Sequence, residues 1–385
     1  EMALGTALLV SAGLLLHSFL NVMSADRGYE VERVLAVDLS LFGPRYESGE
    51  SRIQFYREVT ANVRAIPGVL AAGTISDLPA TAGSSGASQT IFHSTDTDFQ
   101  GLVLARPVAM IRSVTTGYFA ASGTTLRAGR FLTDHESVLV AVVSESLVKS
   151  LWPGEKPEAV IGRTFRQGHV NRPLVTIAGV VKDVRPGSAD GDVPPIVYRP
   201  HGQWASGPAA LVVRTAQEPA GLAPAVRAAI RKMDSNLPIP AIRTMTEIVS
   251  ATVAQRRFQM MLISLFAVVA LLLGAVGVYG VVSYSVASRT RDIGLRIALG
   301  AMESDVMRWV FSNGMRPVVI GLVIGLLGAV AIGRMLQSQL FGVSPTDPLS
   351  FGVVILVLLL TSGLACYLPA RRAARLDAIV ALRHG

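Results

Sequence analysis

The sequence predicts an α-helical membrane protein with four transmembrane helices and a large α+β extracytoplasmic domain inserted between helices 1 and 2. Three observations predict this fold class: long uncharged apolar runs, a mixed-polarity insert after the first run, and an asymmetric distribution of arginine. Of the 385 residues, 50% are hydrophobic and 16% are charged, and the mean hydropathy is +0.46. This composition is more apolar than the soluble average, and the length still leaves room for a folded domain outside the bilayer.

The apolar runs contain no Asp, Glu, Lys or Arg and cover residues 2–25, 258–288, 317–333 and 349–368. A hydrocarbon core about 30 Å thick needs roughly 20 helical residues to cross it. The third run reaches that length if Arg316 and Arg334 extend to the two interfaces. Buried core helices of a soluble protein are the alternative, but apolar segments of this length without a charge seldom occur in soluble cores.

These runs define the predicted domain boundaries. Transmembrane helix 1 covers residues 1–25, and the extracytoplasmic α+β domain covers residues 26–257. A helical domain follows over residues 258–385. Within it we expect transmembrane helices at about 258–286, 312–335 and 349–368, a cytoplasmic segment over 287–308 and a cytoplasmic C-terminal tail.

The arginines predict the orientation. The loop between the second and third runs and the segment after the fourth run are rich in arginine, whereas residues 337–348 contain no Lys or Arg. The positive-inside rule therefore places the C-terminus in the cytoplasm and the insert outside. The net charge of +8 could instead indicate nucleic-acid binding, but no nucleic-acid-binding motif is present. We expect membrane lipids and no nucleic acid as partners.

Residue periodicity predicts the elements of the external domain. Leu35, Val37 and Leu39 alternate with other residues and predict a half-buried strand directly after the first span. A helix follows with Tyr56 and Val59 on its apolar face, and then a strand over 69–75. Further strands are predicted at 108–114, 138–143, 175–181 and 211–214, with a helix over 222–233 and a flexible loop over 80–88. This is an α+β domain, expected to form two subdomains.

The sequence lacks the motifs of common catalytic sites. It has no phosphate-binding loop of the type G-x-x-x-x-G-K-[ST] and no G-x-S-x-G nucleophile turn. Its histidines lack the spacing of a zinc site, and Asp96 and Asp98 lack the rest of a calcium loop, so we interpret them as solvated loop acids. His17 is ionisable within the first span, either as a neutral partner of a neighbouring helix or as part of a proton relay. The sequence predicts no enzyme activity, metal or cofactor.

Glycines within the apolar runs predict close helix packing. Gly321 and Gly325 form a GxxxG pair in the third run, a pattern that lets helix backbones approach. The glycine-rich stretch in the second run superficially resembles a nucleotide-binding loop, but it lies within an uncharged span, which favours packing. Its glycines are Gly274, Gly277 and Gly280.

The segment after the second run, residues 283–301, is amphipathic. Ile293 and Ile297 share a helix face, and Asp292 can pair with Arg296 at i,i+4. Two interpretations remain open on physical grounds: a helix resting on lipid headgroups, or a docking surface for a cytoplasmic partner.

This segment resembles the FtsX-like, MacB-type ABC transporter permeases, whose second span leads into a cytoplasmic R-T-R-E-I-G-I-R-x-A-L-G-A motif. Residues 289–301 read R-T-R-D-I-G-L-R-I-A-L-G-A. Asp292 replaces Glu, Leu295 replaces Ile, and Met302 replaces a residue that is often polar. The C-terminal residues 369–383 also resemble the family, with Ala378 where Pro is usual. External segments at 117–131, 152–154, 179–185 and 194–198 look like the MacB periplasmic core domain.

The resemblance implies a permease subunit that transmits ATP-driven motion from a separate cytoplasmic ABC ATPase subunit to the external domain, for efflux of a substrate. It also implies a multi-pass protein of a bacterial inner membrane, a permease dimer or a second permease half, and, as one possible partner, a periplasmic adaptor protein. The alternative within the superfamily is a signalling subunit that activates an extracytoplasmic hydrolase. The residues that match the ATPase-coupling motif are Arg289, Arg291, Asp292, Ile293, Gly294, Arg296, Ala298, Leu299 and Gly300.

Overall fold

The computed structural model describes residues 2–24, 26–81, 87–133, 136–185, 193–203, 207–239, 241–289, 302–335, 337 and 342–374. The chain divides into two compact units. The external unit is Ala25–Ala254, and the membrane unit combines Glu1–Ser24 with Gln255–Gly385.

The external unit is a mixed α/β structure. Its helices are α2 (Gly49–Arg64), α3 (Phe99–Leu102), α4 (Tyr118–Ser122), α5 (Glu145–Leu151), α6 (Ala223–Met233) and the first turns of α7 (Met245–Ser288). Its strands are β1 (Val34–Leu39), β2 (Val69–Ile75), β3 (Ser88–His93), β4 (Val108–Val114), β5 (Leu126–Gly129), β6 (Val140–Ser144), β7 (Thr164–Gln167), β8 (Val175–Val181), β9 (Ile196–Pro200), β10 (Ala209–Thr215) and β11 (Arg243–Thr244).

Within the described residues the strands form two connected halves. The order β11-β1-β10-β2 is an open antiparallel sheet, and β2 joins β4 through the pair Ile75 and Val114. From β4 the order continues β3-β7-β8-β6-β9, and β9 pairs with β4 in parallel, so this half closes on itself. Closure satisfies strand edges that would otherwise be exposed. The two halves belong to one connected sheet and one compact unit, so the expected division into two subdomains stays a prediction.

Helix α2 shows how the sequence builds the open half. Ser48 caps the helix, because its side-chain oxygen accepts a hydrogen bond of 3.1 Å from the N–H of Ser51. Apolar residues spaced at helical period then face the sheet. The side chains of Phe55, Tyr56 and Val59 are buried there, together with residues of β1, β10 and α6.

Strand β1 is more buried than its alternating sequence suggested. Leu35 and Val37 pack under α2 and α6, whereas Ala36 packs on the opposite face with α4 and the start of α7. Every residue of β1 except Asp38 is buried. The prediction of a half-buried strand was wrong because helices cover both faces of this sheet.

The membrane unit contains α1 (Met2–Ser24), the remainder of α7, α8 (Glu303–Met335) and α9 (Pro348–Ala374). These four helices are long and apolar enough to cross a membrane, which confirms the predicted fold class. Helix α8 passes through Pro317 without ending there. Its start and that of α7 lie well before the apolar runs. A core cluster joins α1, α8 and α9 through Val10, Leu14, Leu322, Ala329, Val354 and Leu358.

Candidate functional site

The described chain borders the predicted coupling segment on both sides. Helix α7 ends at Ser288 and α8 begins at Glu303, with Arg289 as the last described residue of the first side. The guanidinium carbon of Arg289 lies 5.6 Å from the centre of the Trp309 ring on α8, a cation–π distance. The residue after α7 and the second turn of α8 are therefore neighbours. The other coupling residues lie outside the described residues: Arg291, Asp292, Ile293, Gly294, Arg296, Ala298, Leu299 and Gly300.

Three helices meet closely near this end of the membrane unit. A Cβ atom added at Gly314 of α8 would lie 2.7 Å from Cγ2 of Val282 on α7 and 3.1 Å from Sγ of Cys366 on α9. In addition, Nη1 of Arg372 donates a 2.9 Å hydrogen bond to the Tyr279 hydroxyl. Sequence reasoning missed Gly314, because it lies just before the third apolar run and belongs to no glycine pair. Because Gly314 has no side chain, α7, α8 and α9 can pack together at this point.

The GxxxG pair of α8 faces α1. A Cβ atom at Gly325 would lie 2.4 Å from Cβ of Thr6 and 2.6 Å from the carbonyl oxygen of Ala3, and one at Gly321 would lie 2.7 Å from Cβ of Met2. Thr6 is buried, and its hydroxyl donates to the carbonyl of Met2 at 2.7 Å. Larger side chains on α8 would therefore separate the two helices.

The glycines of α7 have different surroundings. A Cβ atom at Gly274 would contact Sδ of Met2 at 3.4 Å, and Gly277 lines an apolar groove of about 600 Å³ shared with α1 and α8. Gly280 is exposed, and a Cβ atom there would meet no described atom within 4 Å. The structure thus brings Gly274 and Gly277 to the same groove as Gly321, whereas Gly280 points away from the described helices.

His17 contacts a carboxylate at the start of α9. Its Nδ1 lies 3.1 Å from Oδ2 of Asp347, and the same oxygen accepts hydrogen bonds from the hydroxyl and N–H of Ser350, at 2.7 Å and 2.9 Å. The Ser350 hydroxyl, and secondarily its N–H and His17, lower the pKa of Asp347. Sequence reasoning singled out His17 but missed Asp347. The signal was an Asp-Pro-x-Ser start before the last apolar run, which is typical of a capped helix.

The acids suspected of resembling a calcium loop have other roles. Asp96 is buried and forms two hydrogen bonds with Arg106, of 2.8 Å and 2.6 Å, and it accepts one from the N–H of His93. Asp98 caps α3 by accepting a 3.1 Å bond from the N–H of Gly101. The interpretation of Asp96 as a solvated loop acid was wrong, because its carboxylate joins two loop segments. No metal-binding group of His, Cys, Asp and Glu occurs among the residues the structure describes.

Family comparison agrees with this architecture. The model of the MacB-like periplasmic core domain matches residues 2–233, and that of the FtsX-like permease C-terminal domain matches residues 264–378. The chain belongs to the MacB-type, FtsX-like permease family. The resemblance seen in residues 289–301 is thereby confirmed, and so is the insertion of the external domain between the first two helices of this permease.

Curated relatives are export proteins longer than this permease. It is 26% identical over 306 residues to the macrolide export ATP-binding/permease protein MacB of Mannheimia succiniciproducens, covering 71% of this chain and 43% of the relative. It is 35% identical over 116 residues to the pyoverdine export ATP-binding/permease protein PvdT of Pseudomonas syringae pv. syringae, covering 30% of this chain and 18% of the relative. The permease therefore spans less than half the length of either relative.

A solved structure also aligns with the permease. The periplasmic region of MacB from Actinobacillus actinomycetemcomitans superposes with a TM-score of 0.40 at 14% identity, over 60% of this chain and 97% of that one.

Proposed function

We propose that this chain is the permease subunit of an ABC exporter and that it transmits ATP-driven motion from a cytoplasmic ATPase subunit to its external domain. In this proposal it resides in a bacterial inner membrane with its C-terminus in the cytoplasm. It works as a permease dimer or with a second permease half, and a periplasmic adaptor protein receives the exported substrate.

The observation that carries the proposal is the continuity of α7. Its first turns belong to the core of the external unit, where Met245, Ile248 and Val249 are buried. The Thr252 hydroxyl also donates a 3.1 Å hydrogen bond to the carbonyl of Ala80. The same helix then continues through the apolar span to Ser288.

A continuous helix is a stiff connector. At 1.5 Å per residue, the 44 residues of α7 extend roughly 66 Å, and no proline interrupts them. Because its first turns are fixed in an external core, a rotation or tilt imposed at the other end would be passed along the helix rather than absorbed by a loop. This is what a permease needs if it moves a substrate outside the bilayer without enclosing it.

The energy source is inferred from the relatives and from the coupling segment. The MacB and PvdT relatives are named as ATP-binding/permease proteins. These 385 residues contain no phosphate-binding loop motif, so we assign ATP hydrolysis to an ATPase outside them. Residues 289–301 begin beside the Arg289–Trp309 contact and form the surface that we assign to that ATPase.

The experiment captures an ATPase on the unaltered permease and then measures its binding and coupling to variants. Reversing Arg296 to Glu places a like charge four residues from Asp292, a local cost of only about 0.5 kcal/mol in a solvated helix. At a partner interface a mismatched charge costs several kcal/mol. We expect Arg296→Glu and Ile293→Asp to abolish capture of the ATPase and its stimulation in reconstituted vesicles, while membrane insertion stays normal.

Arg334→Glu is the matched control, because this arginine is exposed and lies in the last turn of α8, away from the segment. It should bind and stimulate the ATPase normally. Normal coupling in both segment variants would mean that residues 289–301 rest on lipid headgroups and have no docking role.

A further inference from the structure

The external unit contains a cleft that the transport proposal does not use. Its walls are α2, the end of β4 with the residues that follow it, the loop after β5, and the turn after β9. The cavity encloses about 340 Å³, which is within the range of sites for small organic ligands. A shallower depression of about 580 Å³ continues along α2 and shares Ile53, Arg57, Gly202 and Gln203 with it.

The polar groups of the cleft fall into two classes. Some are already used by the fold: Gln203 accepts from the N–H of Val140 at 3.2 Å and donates to the carbonyl of Val138 at 2.6 Å. Glu136 accepts two hydrogen bonds from Arg130, at 2.7 Å and 2.8 Å, and two from Thr133. Arg130 therefore neutralises the Glu136 carboxylate, and the hydrogen bonds hold this carboxylate in position.

Arg57 belongs to the second class. It is exposed, it lies where the two depressions meet, and it forms no ion pair with any residue that the structure describes. Its Nη2 lies 3.1 Å from the position that a Cβ atom would take at Gly202. The guanidinium thus lies across the backbone of the turn after β9, which a side chain at position 202 would obstruct.

Among the charged groups of the described lining, one cation is available to bind a ligand. His201 is buried against Tyr56, and burial lowers its pKa to about 3, so the ring is neutral at physiological pH. The Glu136–Arg130 pair has no net charge. Arg57 is therefore the one cation in the described lining of the cleft without an ion-pair partner, while the carboxylate of Glu50 lines the neighbouring depression. A ligand carboxylate can pair with Arg57.

The lining beside Arg57 is amphipathic. Ile53 is half-buried and presents apolar surface, Val114 and Leu132 are buried and contribute little, and Thr115 and Ser137 present hydroxyls. The Thr115 oxygen accepts a 2.8 Å hydrogen bond from the N–H of Thr74, which leaves its own hydrogen available to donate. A guanidinium fork is suited to a carboxylate, and the apolar wall is suited to a hydrocarbon or aromatic body.

We propose that this cleft binds a carboxylate-headed organic monoanion, with its carboxylate on Arg57 and its apolar body against Ile53. The site lies within the external unit alone, and its existence does not depend on the proposed transport function.

The test uses the full chain in nanodiscs of uncharged lipid and fluorine NMR of three probes: 4-fluorobenzoate, 4-fluorophenylacetate and 6-fluorohexanoate. Empty nanodiscs report partition into lipid, and 4-fluorobenzamide reports binding without the charge. We expect at least one carboxylate to bind above the empty-nanodisc level, and 4-fluorobenzamide to bind at least tenfold more weakly than 4-fluorobenzoate. Arg57→Gln should weaken carboxylate binding at least tenfold.

Two further variants make the result specific. Gly202→Leu keeps Arg57 but fills the cleft from an exposed turn position, and it should also abolish binding. Arg231→Gln removes an exposed arginine from α6 and should leave binding unchanged. The proposal is overturned if no carboxylate binds, if the amide binds equally well, or if Arg57→Gln and Gly202→Leu both bind like the unaltered chain.

Discussion

Nδ1 of His17 in α1 lies 3.1 Å from Oδ2 of Asp347, the residue that caps α9. The two residues are 330 positions apart in the sequence, and they connect the first and last helices of the membrane unit at one end. An ionisable pair at the edge of the bilayer is costly to separate in an apolar environment. The contact therefore fixes the end of α1 that leads into the external unit.

A double-mutant cycle tests this contact. We expect His17→Ala and Asp347→Ala each to destabilise the permease, Asp347→Ala more strongly because it also removes the cap that receives the Ser350 N–H. The coupling free energy between them should be about 0.5 to 1.7 kcal/mol, the range measured for interhelical hydrogen bonds in membranes. Thermal unfolding in detergent measures it, with Ser24→Ala as control, because Ser24 is exposed and its hydroxyl bonds only to carbonyls of α1 itself. Strict additivity would show that the pair contributes nothing.

Glycine substitutions on α8 and α7 should differ in their effect on thermal stability. Gly325→Ala places a Cβ atom 2.6 Å from the backbone oxygen of Ala3, which cannot move as a flexible side chain can. We expect it to destabilise the membrane unit by about 1 to 3 kcal/mol. Gly280→Ala meets no described atom and should be neutral or slightly stabilising, since alanine favours helices. Equal effects in a thermal melt would contradict the packing of α8 on α1.

The Glu136–Arg130 pair predicts a pH-dependent stability. Arg130, and next Thr133, hold the pKa of Glu136 at about 2, below the value of roughly 4.3 in an unfolded chain. A lowered pKa stabilises the fold above pH 4.3, and this contribution is lost as the pH falls toward 2. Glu136→Gln should therefore cost about 1 to 2 kcal/mol at pH 7, after allowance for the half-exposed Arg130, and less at pH 3.

Denaturant unfolding of the full chain at pH 7 and pH 3 measures this difference. Glu155→Gln is the matched control, because Glu155 forms a similar two-bonded pair with Arg163 that is more exposed on the carboxylate side. It should change stability by less than about 1 kcal/mol at pH 7. A Glu136→Gln deficit that is as large at pH 3 as at pH 7 would rule out the charge as its cause.

Membrane orientation predicts selective labelling. In a Cys366→Ala background, Asn171→Cys in the external unit should react with an impermeant thiol reagent in intact spheroplasts. Ser304→Cys at the start of α8 should react only after lysis. Both positions are exposed, so access to the reagent depends on the side of the membrane. Labelling of Ser304→Cys in intact spheroplasts would reverse the proposed orientation.

Sequence reasoning succeeded where composition determines structure. Uncharged runs identified the four membrane helices because a helix that crosses a bilayer must be long and apolar. This requirement does not depend on which helices pack beside it. The same criterion does not locate the first residue of a helix. Helix α7 begins at Met245 in the external unit, well before the apolar run that follows Arg256 and Arg257. The beginning of α8, from Glu303, was missed for the same reason.

Pairings between distant segments could not be predicted. The short strands β5, β7, β9 and β11 carry too few residues for an alternating pattern, and they form because partners such as β4 and β8 are already in place. The contact of His17 with Asp347 and the proximity of Arg57 to Gly202 likewise depend on the tertiary fold. The residue types indicated which residues could form sites. The residues that they contact could be identified only from the structure.

Mechanical continuity of α7 is the central claim, and one measurement tests it directly. Ala254→Pro interrupts the helix at an exposed position between its external turns and its apolar span, at a cost of about 3 kcal/mol to the helix. Spin labels at Asn171→Cys in two assembled permeases report, by their separation, whether the external domains move on addition of ATP. We predict a nucleotide-dependent change in this distance for the intact helix, and its loss in Ala254→Pro although the ATPase still binds and hydrolyses ATP. An unchanged nucleotide response in Ala254→Pro would contradict transmission through α7.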